Sequence, residues 1–184
     1  MQERDALVES LRKTGALRSA RVEDAFRSVD QRALLPPALR ALAYADAPVP
    51  YDERLAVGVS PSPQVLAAML EVLELEPGVR TAVVGGGPYP AYLAASIVGD
   101  ALVAVVEPDA SVRQRIASLL VDRTTIQVAE ALEGRWDRLW VPPPDGDYGS
   151  AEETLDDMGF VVARAQTPEG PAVLKRIRSG VEFL

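Results

Sequence analysis

The sequence predicts an α/β protein in which helices cover both faces of a mostly parallel sheet and an additional helical region precedes it. Short apolar runs such as TAVVG, LVAVVE and TTIQVAE alternate with amphipathic segments of helical period in the second half of the chain. Continuous apolar runs are typical of strands that are buried on both faces. Strands that alternate with helices imply a parallel sheet between two helical layers.

Composition and length indicate one soluble globular domain. The chain has 184 residues, of which 48% are hydrophobic and 25% charged, and both values are ordinary for such a domain. The N-terminus MQERDALVES is charged and lacks the apolar centre of a secretory signal. No apolar run reaches the ~18 residues of a membrane span. We therefore expect a cytoplasmic protein without a membrane partner.

Charge and residue usage exclude several classes of function. Asp and Glu number 27 against 19 Lys and Arg, which leaves a net charge of −8 and argues against nucleic-acid binding. The chain has neither Cys nor His, so disulfides, thiolate zinc sites and His-based catalytic triads are excluded. We predict no metal site, and a protein or peptide as the partner.

The first third of the chain is mainly helical in pattern. Helices are predicted over residues 5–15, 20–29 and 36–44, the second with Ser19 as its N-cap. Residues 47–63 are rich in Pro, Gly and Ser and predict a long irregular segment, a type of segment that is often functional. We divide the chain into an N-terminal segment, residues 1–63, packed on a core formed by residues 64–184.

The remaining residues predict the sheet and its helices. Helices are expected over residues 63–75, 91–99, 110–121 and 151–159, the last with a Ser150–Glu153 capping box. Strands are expected over residues 81–85, 102–107, 124–130, 138–141, 160–167 and 172–178, the last two forming a hairpin.

A glycine-rich loop, VVGGGPYP, lies at the end of the predicted strand 81–85. In a doubly wound sheet the ligand binds at the carboxyl ends of the strands, near the first turn between strand and helix. Glu107 ends the next strand, at the distance where an acidic residue commonly holds a ribose. The pattern suits a nucleoside cofactor, including that of a nicotinamide-dependent dehydrogenase, and equally an ordinary tight turn.

Four segments together are typical of one enzyme family: LVESLRKTGALRSARVEDAFRSV, LLPPALRALAYADAPVP, VSPSPQVLAAMLEVLELEPGVR and WDRLWV. Through them the whole chain resembles the protein-L-isoaspartate O-methyltransferases, which use S-adenosylmethionine to methylate damaged aspartyl residues. The resemblance implies a Rossmann-like methyltransferase core with an N-terminal helical addition. Together with the alternating strands and helices, it places the strand 81–85 at the centre of the sheet, with 102–107 and 124–130 to one side and 138–141 to the other. It also implies cofactor-binding positions at Gly85, Gly87, Glu107 and Glu130.

The same resemblance places the active-site serine of the family near the start of the helix 63–75. Aligned without gaps, that serine falls on Pro61, which Ser60 and Ser62 flank. Ser62 precedes Pro63 and so suits an N-cap with proline at the first helical position. Ser60 is therefore the candidate catalytic residue if the protein is active.

Four residues depart from the cofactor loop of the family. Val83 stands where the family has an acid that holds the methionine ammonium of the cofactor, and a valine accepts no hydrogen bond. Tyr89 stands at the third glycine, where a side chain would occupy ligand space. Pro88 and Pro90 each remove an N–H donor. These departures favour a non-catalytic binding or scaffolding homologue that lacks the cofactor; the alternative is an active carboxyl O-methyltransferase.

Three aromatic residues in the second half of the chain are a candidate surface for binding a partner. Trp136, Trp140 and Tyr148 are close together and could form an exposed aromatic patch. For Trp140 a buried position at a strand end is the expected alternative.

Overall fold

The computed structural model describes residues 2–51, 59–121, 125–141, 151, 153–167, 170–177 and 180–183. Its α-helices are α1 (Gln2–Lys13), α2 (Ala20–Ser28), α3 (Pro63–Leu73), α4 (Pro88–Val98) and α5 (Ala110–Leu119). Its strands are β1 (Val49–Pro50), β2 (Val59–Ser60), β3 (Thr81–Val84), β4 (Val103–Val106), β5 (Ile126–Ala129), β6 (Trp136–Val141), β7 (Leu155–Thr167), β8 (Gly170–Ile177) and β9 (Gly180–Phe183).

Seven strands form one mixed sheet in the order β5-β4-β3-β6-β7-β8-β9. Strands β3 to β7 pair in parallel, whereas β8 and β9 are antiparallel to their neighbours. The predicted arrangement of the four parallel strands around β3 is confirmed, and so is the C-terminal hairpin. Strand β9 was not predicted.

The two faces of the sheet are covered unequally. Val83, Val105 and Trp140 lie in register on one face and belong to a large apolar cluster that contains buried residues of all five α-helices. Ala82, Ala104 and Leu139 are in register on the other face, in a smaller cluster that contains no residue of α1 to α5. Since residues 130–135 connect β5 directly to β6, no helix lies between those two strands.

The N-terminal helices pack on the core as their patterns predict. Leu7, Val8 and Leu11 of α1 are buried, and the Ser19 hydroxyl accepts a hydrogen bond from the Val22 amide at the start of α2. The third predicted helix is instead a 3-10 helix, Pro37–Leu42. Because α1 and α2 share the large cluster with the sheet, the N-terminal segment and the core are continuous; the division at residue 63 stays a prediction.

The helix predicted over residues 151–159 is wrong for most of its length, because strand β7 begins at Leu155. Leu155 is fully buried and pairs with Trp136 of β6, whereas Met158 is 88% exposed. With only these two large apolar residues, the segment lacks the stripe that a packed helix needs, so pairing with β6 prevails. Ser150 of the predicted capping box lies outside the described residues.

The predicted aromatic patch does not form from its two tryptophans. Trp140 is 1% exposed and Trp136 is 3% exposed. They belong to the clusters on opposite faces of the sheet, which is the buried alternative expected for Trp140. Tyr148 lies outside the described residues.

Candidate cofactor site

The glycine loop is a tight turn that leads β3 into α4. Gly85, Gly86 and Gly87 have φ angles of +65°, +74° and +81°, a region that glycine enters without steric cost. Gly87 occupies the N-cap position of α4. The helix was predicted to begin at residue 91, but it begins at Pro88.

The two prolines of the loop therefore belong to the first turn of α4. Amides in the first turn of a helix have no partner inside the helix and are the groups that bind anionic ligands. Proline is well suited to this turn, so Pro88 and Pro90 do not weaken the helix. Each of them nevertheless removes one N–H donor from the ligand side.

Tyr51, which follows β1, packs its ring directly on the loop. The Tyr51 side chain is buried, and a Cβ atom added to Gly87 would clash with three carbon atoms of its ring. The glycine at position 87 is therefore required both by its positive φ and by this close approach.

The acid at the end of the next strand acts electrostatically on the same residue. Burial raises the pKa of the Tyr51 phenol, and the negative charge of Glu107 raises it further. Tyr51 thus packs on Gly87 and feels the charge of Glu107, the two landmarks of the predicted ligand position. Sequence reasoning missed this residue, since it belongs to the irregular segment 47–63 and only the fold brings it onto the loop.

Tyr89 does not occupy the ligand position, and that prediction is wrong. Its ring meets the ring of Phe26 in α2 edge to face, with 6.1 Å between centroids and an interplanar angle of 89°. It is 2% exposed and belongs to the large cluster. Since Tyr89 is the second residue of α4, the helical backbone directs its side chain toward α2 rather than over the loop.

Val83 is fully buried in the same large cluster. Its neighbours in the sheet are Val105 and Trp140, in register with it. An apolar side chain suits this surrounding, and a carboxylate here would need a cationic partner to offset its loss of hydration.

The two retained acids have partners at the strand ends. Glu107 accepts a hydrogen bond from the Asp109 amide at 3.1 Å, and Glu130 pairs with Arg113 at 3.1 Å. Arg113 also donates to the backbone oxygen of Glu107 at 2.7 Å. Glu107 and Glu130 therefore help to join the ends of β4 and β5; their predicted role toward a cofactor stays a prediction.

Ser60 lies beside the loop on β2, paired with Val49 of β1. It is 2% exposed, and its hydroxyl has no hydrogen-bond partner among the residues that the structure describes. The next residue, Pro61, lies 3.8 Å from the position that a Cβ on Gly86 would take. Buried hydroxyls normally have a partner, so Ser60 is the one candidate residue whose hydrogen bonding is incomplete.

Ser62 occupies the N-cap position of α3 before Pro63, as predicted, but its hydroxyl makes no capping hydrogen bond. The Asp46 carboxylate accepts the hydrogen bond of the Gln64 amide instead, at 2.9 Å. The cap of α3 thus comes from a residue distant in sequence.

Neither a cluster of metal ligands nor a membrane-spanning helix occurs in the part of the chain that the structure describes. Within the described ranges no group of three or more Asp and Glu residues is arranged to hold a metal ion. In the same part of the chain, no helix has the length and apolarity that crossing a bilayer requires.

The strand order, the glycine turn after β3 and the acid after β4 define a Rossmann-like methyltransferase fold, and solved structures agree. A protein-L-isoaspartate O-methyltransferase superposes with a TM-score of 0.80 at 19% identity, over 98% of this chain and 63% of the other. A Plasmodium falciparum structure, described as a beta-aspartate methyltransferase in complex with S-adenosyl-L-homocysteine, gives 0.78 at 17% identity, over 97% and 93%.

The chain belongs to the protein-L-isoaspartate(D-aspartate) O-methyltransferase family, whose model matches residues 2–180. Its relative from Hyperthermus butylicus is 30% identical over 92% of this chain and 69% of the relative. The relative from Methanothermobacter thermautotrophicus is 28% identical over 100% of this chain and 79% of the relative. Both relatives are protein-L-isoaspartate O-methyltransferases.

Proposed function

We propose that this family member does not use S-adenosylmethionine and works as a non-catalytic binding or scaffolding module with a protein or peptide partner. The observation that carries the proposal is the Tyr51 ring, which packs against Gly87 where a cofactor would approach the loop. A ring in that position takes the space of the ligand. The residues at this edge of the sheet therefore do not fit the cofactor.

The polar groups around the loop support the same conclusion. Val83 replaces an acid by a buried apolar side chain, which removes a charge-assisted hydrogen bond worth about 1.5–3 kcal/mol. Pro88 and Pro90 take two amides from the first turn of α4. Micromolar affinity corresponds to about −8 kcal/mol, so losses of about 4 kcal/mol lower it to the millimolar range before any clash with Tyr51 is considered.

The experiment is a calorimetric titration of the protein with S-adenosylmethionine and with S-adenosylhomocysteine. We expect no saturable binding at millimolar ligand. The variant Tyr51→Ala should bind both ligands weakly but measurably, because it opens the space beside Gly87. The variant Tyr51→Phe keeps the ring and should show no binding. Micromolar binding by the unaltered protein would overturn the proposal.

The second candidate function is an active carboxyl O-methyltransferase. It is favoured by the buried Ser60 hydroxyl, which has no hydrogen-bond partner among the described residues. Methyl transfer to a carboxylate depends mainly on positioning, so the absence of His and Cys does not exclude it. This function requires the Tyr51 ring to leave Gly87. Turnover of an isoaspartyl peptide that falls in Ser60→Ala without loss of stability would support it.

A further inference from the structure

A second cavity lies at the opposite edge of the sheet, at the amino ends of the parallel strands. Its volume is about 600 Å³. Gly78 and Val79, which precede β3, form part of its wall, so it is separate from the glycine loop that follows β3. Its lining also includes the side chains of Glu74, Arg138, Met158, Phe160, Lys175 and Ile177.

Two cationic side chains of this cavity meet on one aromatic ring. The guanidinium carbon of Arg138 lies 4.1 Å from the centroid of the Phe160 ring, and the ammonium of Lys175 lies 4.2 Å from it. Phe160 is 4% exposed, and the Lys175 side chain is 14% exposed. The ring therefore holds two positive charges close together at a partly dehydrated position, where cation–π contacts are strongest.

The positive charge of Arg138 is poorly balanced. Its Nε donates to the Leu73 oxygen and its Nη1 to the Asp137 oxygen, both at 2.9 Å and both neutral acceptors. Burial lowers the pKa of Arg138, and the charges of Asp137, Glu74 and Glu76 oppose this shift without cancelling it. The Asp137 carboxylate is occupied by the Arg80 amide at 2.8 Å.

Glu74 is the one acid of the cavity that pairs with a cation among the described residues, and it pairs with Lys175 at 2.9 Å. Its backbone is in the left-handed region, with φ +49° and ψ +46°, a conformation that is costly for a residue other than glycine. Among the described residues Glu74 pairs with Lys175 and no carboxylate pairs directly with Arg138, so the guanidinium of Arg138 is the group left for an incoming anion.

We propose that this cavity binds a peptide segment whose carboxylate side chain pairs with Arg138 and whose neighbouring apolar side chain packs on Met158 and Ile177. Met158 is 88% exposed, so an apolar partner would cover it. Bidentate pairing suits the planar guanidinium, which its two backbone bonds hold in place. The inference goes beyond the proposed function and does not depend on whether the glycine loop binds a cofactor.

The test is an amide NMR titration of the full-length protein with the peptide acetyl-Leu-Glu-Leu-amide. We expect saturable shifts at residues of this cavity and none at the glycine loop. The matched peptide acetyl-Leu-Gln-Leu-amide has no charge and should bind about tenfold more weakly or worse, since a hydrogen bond to a charged group is lost. Equal binding of the two peptides would overturn the role of the carboxylate.

Two kinds of variant separate binding from folding. Arg138→Gln should weaken binding of the glutamate peptide about tenfold or more. Its matched control is Arg21→Gln, because Arg21 also donates to a backbone oxygen after α3, that of Leu75, but lines another cavity. Met158→Leu should leave binding nearly unchanged and Met158→Asp should weaken it, because only the first keeps an apolar side chain for the peptide to cover. Neither variant should change the melting temperature, since Met158 is 88% exposed.

Three results would overturn the proposal. The first is that binding does not saturate at ~10 mM peptide, which would mean a very weak affinity. The second is that both Met158 variants bind the peptide with the same affinity. The third is that Arg21→Gln weakens peptide binding as much as Arg138→Gln does. Displacement of the peptide by inorganic phosphate at equal concentration would show a simple anion site and would overturn the assignment to a peptide.

Discussion

The two edges of the central sheet differ in what their side chains do. At the carboxyl edge, an aromatic ring covers the glycine loop, prolines begin α4, and the acids Glu107 and Glu130 bind groups of the protein itself. At the amino edge, a cavity contains Arg138, whose hydrogen bonds to the described residues go to two backbone oxygens, and Lys175, which pairs with the Glu74 carboxylate. If both proposals hold, one fold presents a filled edge and an open one, and side chains rather than topology decide which edge takes a ligand.

The largest effect should come from restoring the family's acid with Val83→Glu. Val83 is fully buried among apolar side chains, so the carboxylate would be an uncompensated charge and lower the free energy of unfolding by about 3–5 kcal/mol. Urea unfolding measures this loss of unfolding free energy. Val105→Glu, on the same face of β4, is the control and should lose as much.

This pair of variants tests whether the carboxyl edge is truly filled. If S-adenosylmethionine stabilised Val83→Glu but not Val105→Glu, the acid would be holding the cofactor, and the contrast between the two edges would fail.

The next effect concerns Tyr89, which supports the fold rather than the ligand position. Tyr89→Ala removes a buried ring from its contact with Phe26 and should cost about 3 kcal/mol of unfolding free energy, as for other aromatic truncations. Tyr89→Phe keeps the ring pair and should cost much less. Calorimetry with S-adenosylhomocysteine should detect no binding in either variant. Binding by Tyr89→Ala alone would mean that Tyr89, and not Tyr51, keeps the cofactor out of its site.

A smaller effect should separate Asp46 from Ser62 at the start of α3. Asp46→Ala removes the carboxylate that accepts from the Gln64 amide, and the loss of such a cap costs about 1 kcal/mol. Ser62→Ala should be nearly neutral, because its hydroxyl makes no capping bond. Thermal unfolding of the two variants is the measurement, and a greater loss in Ser62→Ala would contradict this assignment.

The smallest change in stability is expected for Glu74→Gly at the amino edge. Glycine accepts the left-handed backbone without steric cost, while the lost pair with Lys175 contributes about 0–1 kcal/mol at an exposed carboxylate. The two effects oppose each other, so the melting temperature should hardly move. Binding of the glutamate peptide should tighten, because Lys175 becomes free. Glu76→Gln removes an acid that also acts on Arg138 but does not pair with Lys175, so it should tighten binding less.

The sequence predicted where the glycine loop and Glu107 lie at the carboxyl edge, but not which aromatic side chain packs on the loop. Gly85, Gly87 and Glu107 lie where the strand and turn patterns place them, since a parallel sheet brings these positions to one edge. The direction of Tyr89 was not predictable, because it depended on α4 beginning at Pro88 rather than at residue 91. The position of Tyr51 depended on how a segment distant in sequence folds back over the loop.

By itself the sequence determined the α/β class, the order of the parallel strands and the packing of the N-terminal helices. The class and the helix packing follow from apolar periodicity, which each segment carries locally and which selects the buried face. The strand order follows from the alternation of strands and helices together with the family resemblance. The tertiary structure alone decided that Tyr51 covers Gly87 and that Asp46 caps α3. It also decided that Arg138 and Lys175 meet on Phe160. Each of these contacts joins residues far apart in the chain, and their geometry is set by close packing in three dimensions rather than by any local pattern.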